Sequence, residues 1–552
     1  MCGIFTIINQ DINNEIVEAF KKGESRGPEY SHIQQINNNI FGFHRLAING
    51  LNTKSNQPFD ILNCILICNG EIYNYKQLTK DLDITLFTDS DCEIIIHLYK
   101  MFGIEYTLHI LDGVFAFVLY DKTNDHFYVS RDPYGVRPLF IGLYENSFYI
   151  ASDLKCIYPL INDKSKLYNF EPGYYLSLYD NIYGFTYYNK YTYYPFISKF
   201  YDNNEIYNII YNTLLSAVEK RVIGTCERPI ACLLSGGLDS SLITALVNRY
   251  YKSENKLETY SIGLKGSEDL KYAKIVADYL ETQHTEIIVS EEEFLNAIPE
   301  VIKTIESYDT TTVRASVGNY LIGKYIKEHS NAKVIFNGDG ADELMGGYLY
   351  MKMAPNSYEF DNECKRLLSN IYKYDVLRSD KSISSHGLEP RTPFLDRKWV
   401  ETYLSIDKNI RYDTTKEKCE KYLIRKSFNQ LDNKILPESI LWRTKEAFSD
   451  GVSSQSRSWY EIITEWVGLK YENDNLIRNE IENMKLYNKN DKSENIPVTI
   501  EQCYYKMIFN EFYGGAEHLI PRYWMPKYVD AKDASARTLQ IYNNNNTNKK
   551  SD

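Results

Sequence analysis

Up to about residue 195 the chain alternates short apolar runs with turn residues, a pattern that predicts β-strands. The runs are CGIFTII, NIFGFHRLAI, NCILICNG, GVFAFVLYD, HFYVSRD, LFIGLY, SFYIASD and GYYLSLY. Only EIVEAFKKG and DCEIIIHLYKMFG have helical spacing there. The expectation is an α+β domain of packed, mostly antiparallel sheets. YYNKYTYYPFISKFYDNN then reads as a linker. From Glu205 the period changes: the helix EIYNIIYNTLLSAVEKRV precedes a buried strand, PIACLL, a glycine-rich loop and the helix SLITALVNRYY. The strand LETYSIGL, the helix DLKYAKIVADYLE and the strand HTEIIV follow. Such alternation predicts a parallel sheet covered by helices. The strand AKVIFNG leads into a second glycine-rich turn, GDGADELMGGY, and the remainder is predicted largely helical. The expected domains are 2–195 and 205–530, with a tail over 531–552 ending in the low-complexity NNNNTNKKSD, expected to be disordered.

A chain of 552 residues is too long for one core, which agrees with this division. Its 43% apolar and 25% charged residues are the balance of a soluble globular protein. The net charge of −12 argues against nucleic acid as the main partner. No apolar run has the length of a membrane span, and the start MCGIFTIINQ lacks signal-peptide character. A cytoplasmic location is therefore expected. The ten cysteines show no metal-ligand spacing, and few or no disulfides are expected in a reducing compartment.

Cys2 directly follows the initiator Met. Removal of Met1 would place a thiol and a free amine on one residue, and the amine can serve as base towards that thiol. Alone, a Cys at position 2 is more often simply an N-terminal residue. Seven further segments occur in order: ESRGPEYSHI, HRLAI, QPF, NGEIYNY, TDSDCE, LDGVFAF and RDPYGVRPL. On these the first domain resembles the class II (N-terminal nucleophile) glutamine amidotransferases. The resemblance implies stacked antiparallel sheets between helices, with Cys2 attacking the glutamine side-chain amide. It implies that Arg45, with Leu46, Ala47, Ile48 and Asn49, lines the glutamine site, Arg45 pairing with the α-carboxylate. Asn69 and Gly70 would donate the oxyanion hole, and Glu71 and Asp91 would hold the α-amino group. Against these stand blander readings, a surface ion pair for Arg45 and a hairpin turn for the Asn-Gly dipeptide.

LLSGGLDSSLITAL places small residues between a strand and a helix, where backbone N–H groups and the helix N-terminus suit an anion. No G-K-[ST] closes it, so it is not a Walker loop. The whole SGGLDSS resembles the ATP-pyrophosphatase family, which implies an ATP site built from Leu234, Ser235, Gly236, Gly237, Asp239, Ser240, Ser241, Ile262, Asn337 and Gly338. Asp239 and Asp342, at predicted strand ends, are the expected Mg²⁺ ligands; helix capping is the alternative for Asp239. YSIGLKGSEDLKYAKIVADYL, YDTTTVRAS, FNGDGADELMGGY, HGLEPRTPFLD, WRTKEAFSDGV and WMPKYVDAKDASARTL resemble the glutamine-dependent asparagine synthetase family. That resemblance implies glutamine, aspartate and ATP as substrates, Lys445 as a catalytic counter-charge, and an internal path for ammonia. A homodimer is common in that family, and nothing in the residues selects it. Arg391 and Asp269 are expected to make substrate, interface or structural pairs. Many members carry Glu in SGEGSDE, where this chain has Asp339 in NGDGADE, so the catalytic role of Asp339 is the point of departure. Three alternatives stay open: another amidotransferase, a β-lactam synthetase-like ligase, and a non-enzymatic homologue.

Overall fold

The computed structural model describes residues 1–179, 182–188, 197, 202–224, 227–445, 451–453, 457–487, 495–531 and 533–538. The expected linker and the low-complexity tail lie largely outside these residues, as does most of KEAFSD. The early strands are β1 (Gly3–Ile8), β2 (Tyr30–Ile36), β3 (Asn39–Arg45), β4 (Phe59–Ile61), β5 (Cys64–Ile72) and β6 (Gly113–Asp121). They continue as β7 (His126–Arg131), β8 (Phe140–Tyr144), β9 (Ser147–Ala151), β10 (Leu167–Asn169), β11 (Tyr174–Tyr179) and β12 (Ile182–Tyr187). Two six-stranded antiparallel sheets result, in the orders β10-β8-β9-β1-β3-β2 and β12-β11-β7-β6-β5-β4. Period-2 alternation lets each sheet send one row of side chains inward. Ile4, Phe41 and Ile150 of one sheet therefore meet Ile65, Val118 and Val129 of the other in a dry core.

Both predicted helices of this half are present. Asn14–Lys21 is capped by Asn13, whose side chain accepts from Ile16 N. Ile94–Ile110 runs past the predicted end at Gly103, where a φ of 77° breaks the helix and a second segment resumes. β2, β4, β10, β12 and the helix Tyr75–Asp81 are not among the elements expected from the sequence pattern. These are short, or lack clean apolar alternation: β12 is exposed along nearly its whole length, so no burial pattern marks it.

The second half carries β13 (Ile230–Leu233), β14 (Glu258–Leu264), β15 (Gln283–Val289), β16 (Val334–Phe336) and β17 (Glu389–Arg391). They form a parallel sheet in the order β15-β14-β13-β16-β17. The helices Asn203–Ile223, Leu238–Tyr250, Glu268–Leu280, Glu291–Ile305 and Thr310–His329 surround it. Four of the strands were expected; β17 was not, because three residues containing Pro390 carry no strand signal, and proline is tolerated only at such an edge. Among the described residues no helix is long and apolar enough to cross a membrane.

The halves meet across buried charge. Arg26 Nη2 lies 2.9 Å from Asp380 and Nη1 3.1 Å from Asp153, with Ser384 Oγ accepting from Nη1 at 3.0 Å. Lys381 pairs with Glu306 and reaches Asp153 at 3.2 Å. Replacing Arg26 leaves two buried carboxylates short of a cation, which costs far more than the intact pair contributes. Arg26→Ala is expected to destabilise the protein by about 3–5 kcal/mol, read by urea unfolding. An unchanged midpoint would show that the seam carries no structural charge.

Candidate functional site

Cys2 sits just ahead of β1 and is half-buried, its Sγ donating to Leu46 O at 3.6 Å. Burial pushes the thiol up to about 11, with Met1 still attached. Arg26 Nε donates to Cys2 O at 3.1 Å, fixing the residue from behind. Leu46, Ala47 and Ile48 are buried and Asn49 is half-buried. Arg45 is directed into its own loop: Nη1 donates to Asn52 O (2.9 Å) and Asn56 Oδ1 (2.6 Å), and Nη2 to Asn49 O (3.3 Å) and Gly50 O.

Asn69 and Gly70 lie in β5 opposite Ala116 and Phe115 of β6. A Cβ on Gly70 would fall 2.7 Å from Val114 O, so only glycine fits that register. The Asn69 Nδ2 amide is buried and has no hydrogen-bond partner among the described residues. A buried donor left unpaired costs about 1–3 kcal/mol, and an incoming acceptor recovers it. Glu71 accepts from Asn49 Nδ2 at 2.9 Å, and Asp91 Oδ2 accepts from Ile72 N at 2.7 Å. Burial raises both acids: Asp91 to about 6, and Glu71 well above its ordinary value although Arg391 pulls it down.

In the second half, β13 ends in a loop folded on its own hydroxyls. Ser235 N donates to Ser240 Oγ at 3.2 Å, and the two Oγ atoms lie 3.0 Å apart. Gly236 has a φ of +69°, and a Cβ there would meet Ala273 N at 2.4 Å. Gly338 packs the second turn onto the first, since its Cβ would fall 2.8 Å from Ser240 N. One cavity is lined by Leu234, Ser235, Asp239, Ile262, Gly338 and Lys445, among others. Gly237, Ser240, Asn337, Asp339 and Asp342 border it too, whereas Gly236 and Ser241 do not line it.

Asp239 and Asp342 converge there on a residue that no motif marked. Lys421 Nζ is 2.7 and 2.6 Å from the two Asp239 oxygens and 2.6 Å from Asp342 Oδ1. Lys445 Nζ lies 2.5 Å from Asp342 Oδ2 and 3.9 Å from Asp239 Oδ2. Burial pushes Asp342 up, but Lys421 and Lys445 outweigh it and hold the carboxyl below its ordinary range. Lys445 is in turn raised, Asp342 and Asp239 overcoming its desolvation. Lys421 begins the helix Tyr422–Leu431 at a φ of 55°, which no local residue pattern announces. Arg378 was likewise missed; it pairs with Asp339 at 3.1 Å and with Asp375 at 2.9 Å. Asp269, at the cavity edge, pairs with Arg443 at 3.3 Å.

Arg391 is an interface residue. Its Nη2 lies 2.8 Å from Glu71 and 2.8 Å from Glu389, while its carbonyl accepts from Asn337 N at 3.1 Å. One residue therefore touches the acid of the first site with its side chain and the second site with its main chain.

A family model for the glutamine amidotransferase domain matches residues 1–180. One for asparagine synthase matches residues 210–362 and 352–496. The chain is 39% identical to an asparagine synthetase (glutamine-hydrolyzing) of Gallus gallus, over 98% of this chain and 99% of that one. It is 38% identical to the protein of the same description from Homo sapiens, again over 98% and 99%. Matches at this identity across nearly all of both chains place the chain in the glutamine-hydrolysing asparagine synthetase family.

Proposed function

We propose that the chain makes asparagine from aspartate, glutamine and ATP in the cytoplasm, through two half-reactions in domains bounded by 2–195 and 205–530. Cys2, freed of Met1, attacks the glutamine side-chain amide. Its α-amine takes the thiol proton and passes it to the leaving ammonia, and water then releases glutamate from the thioester. Asn69 Nδ2 and Gly70 N–H face the developing oxyanion; the unpartnered Asn69 amide supports this role. Glu71 and Asp91 receive the substrate ammonium. Arg45 is committed to loop 45–56 through both Nη atoms and meets the α-carboxylate by exchanging one of these loop contacts for it.

In the second half the aspartate β-carboxylate attacks the α-phosphate of ATP. Pyrophosphate departs into the Ser235–Ser241 loop, and ammonia then displaces AMP from the acyl carbon. Asp239 and Asp342 reach one Lys421 ammonium, so both can reach one cation. Two carboxylates with phosphate oxygens suit Mg²⁺. No cluster of three or more His, Cys, Asp or Glu offers an all-protein cage among the described residues. When bound with the nucleotide, the ion would neutralise phosphate charge. Lys445 meets the charge developing on the phosphates, and Asp339 faces the acceptor from the cavity wall. The observation that carries this reading is Arg391, which joins a glutamine-side acid to a nucleotide-side turn within one residue.

The test is product analysis of Met-processed enzyme with glutamine, ATP, Mg²⁺ and aspartate. Asparagine, AMP and pyrophosphate are expected, and Cys2→Ala should give asparagine only from ammonium. Glutamate without asparagine would overturn the acceptor assignment.

Lys445→Ala should lower ATP–pyrophosphate exchange by about 10²–10³-fold and leave glutamine hydrolysis standing. Equal loss of both activities would argue against a local role.

A pH dependence follows from Asp91. Burial raises its pKa to about 6, helped by Glu389 and opposed by the Ile72 N–H and Arg391. Below that pH the acid is protonated and cannot pair with an ammonium. In wild type kcat/KM for glutamine should fall as pH drops through about 6. Asp91→Asn should give a low kcat/KM that loses the inflection near 6 and keeps only the acid limb of the Cys2 α-amine that acts as base. A wild-type profile flat to pH 5 or below (about one unit under the inflection) would remove Asp91 from ammonium binding.

A further inference from the structure

The loop after β3 is held from two sides. From within, the Arg45 guanidinium gathers the carbonyls of Asn49, Gly50 and Asn52. From outside, the grip comes from the other half of the chain. Arg228 Nε donates to Ala47 O at 2.7 Å, and its Nη2 contacts both Glu29 oxygens at 2.8 and 2.9 Å. Glu29 Oε2 accepts from Ala47 N at 2.7 Å. Both polar groups of the Ala47 backbone are thus caught in one Glu29–Arg228 pair. Glu227, one residue earlier, accepts from Gly50 N at 3.0 Å and Leu51 N at 3.4 Å. Gly50 has a φ of +61°, and a Cβ there would fall 2.5 Å from Ser55 Oγ, so the turn has little room to relax elsewhere.

Arg228 and Glu227 are two and three residues ahead of β13, the strand that ends in the serine loop. Pro229 O accepts from Lys333 N at 3.0 Å, which anchors the segment to the start of β16. The pair is therefore mounted on the parallel sheet, while its contacts lie on the glutamine loop. The guanidinium meets the carbonyl through Nε and the carboxylate through Nη2, a spacing that the single nitrogen of an ammonium does not supply.

We infer that Glu227 and Arg228 are positioning residues for the glutamine site: the synthetase half holds loop 46–51 in its binding shape, so the glutamine pocket is complete only in the two-domain chain. This rests on the reading of that loop as part of the glutamine site. Neither residue touches the thiol, so the effect falls on substrate binding and leaves the chemical step unchanged.

The test is steady-state glutamine hydrolysis by the full-length enzyme, with ammonia-dependent asparagine synthesis measured in parallel. Glu227→Ala/Arg228→Ala should raise the glutamine KM about five- to tenfold and keep kcat and ammonia-dependent synthesis within about twofold. Glu29→Gln, on the other side of the clamp, should raise KM in the same way. Adding Arg228→Ala to Glu29→Gln should raise it little further, because the two act as one pair. A glutamine KM within about twofold of wild type overturns the proposal, as do independent additive rises. Parallel loss of ammonia-dependent synthesis also overturns it, since that marks general damage. Wild type without any glutamine hydrolysis would instead refute the glutamine-site reading itself, and the clamp with it.

Discussion

Arg26 and Arg391 are charges taken out of water at the junction of the two halves, and their neighbours are arranged to answer them. Arg26 is compensated by Asp153 and Asp380, Arg391 by Glu71 and Glu389. Arg137 lies between, 3.7 Å from Asp380 and 3.4 Å from Glu389. Such a seam adds little net stability, because desolvation consumes most of the Coulombic gain. Its strength is in registration: sliding one half past the other would strand several buried charges at once. Cys2 hangs from this seam through the Arg26 contact to its carbonyl, and Asn337 hangs from it through the Arg391 carbonyl. The relative placement of thiol and nucleotide turn is thus set by charge pairing as much as by apolar contact. The apolar contact is continuous too, with Phe5 and Phe20 sharing a core with Phe294 and Ile298.

The nucleotide side applies the same constraint to a different end. Asp239 and Asp342 face Lys421 and Lys445, two negative charges against two positive ones in a cavity lined by the serine loop. A polyphosphate entering alone would add uncompensated negative charge. On the proposed reading, a nucleotide entering with a divalent cation would offer phosphate oxygens to the ammonium groups of Lys421 and Lys445, and Asp239 and Asp342 would hold the cation, so that each group would exchange one opposite charge for another. Asp342 and Asp239 raise Lys445 and keep it charged, close to the place where phosphate oxygens are expected.

What was legible in the sequence follows this physics. Long apolar runs such as NCILICNG announce their strands because burial on both faces leaves no other reading, and β5 is buried along nearly its whole length. The glycines of NGE and SGGLDSS were legible as motif residues, and Gly70 in β5 and Gly236 in its turn both occupy positions where a Cβ collides with backbone. β17 was not legible, because three residues around Pro390 carry no strand signal, and Lys421, Arg378 and Arg228 were not, for a reason they share. Each acts through a partner distant in the chain: Lys421 is 182 residues from Asp239, and Arg228 is 199 from Glu29. A lone lysine or arginine has no local period to betray such a partner. Arg45 was legible by position and its present contacts were not, because the loop carbonyls that hold it are set by a turn conformation rather than by residue type.

Asp339 shows how one methylene changes such an arrangement. Arg378 serves two carboxylates, contacting Asp375 through Nε at 3.2 Å and Nη2 at 2.9 Å, and Asp339 through Nη2 alone at 3.1 Å. Asp375 is three residues away on the same helix, so its pair forms with the helix itself. Among the described residues the Asp339 carboxylate has the single Arg378 contact, made from a turn whose backbone is pinned by Asn337. On the proposed reading an acceptor amino acid would bring an anionic carboxylate of its own into this cavity. If that carboxylate takes a share of Arg378, the bond that yields is the one to Asp339, because it is single and not supported by a helix. A longer Glu at this position could follow the guanidinium and stay paired. On that reading the shorter Asp would be the one released, left facing the cavity as the movable acid of the turn.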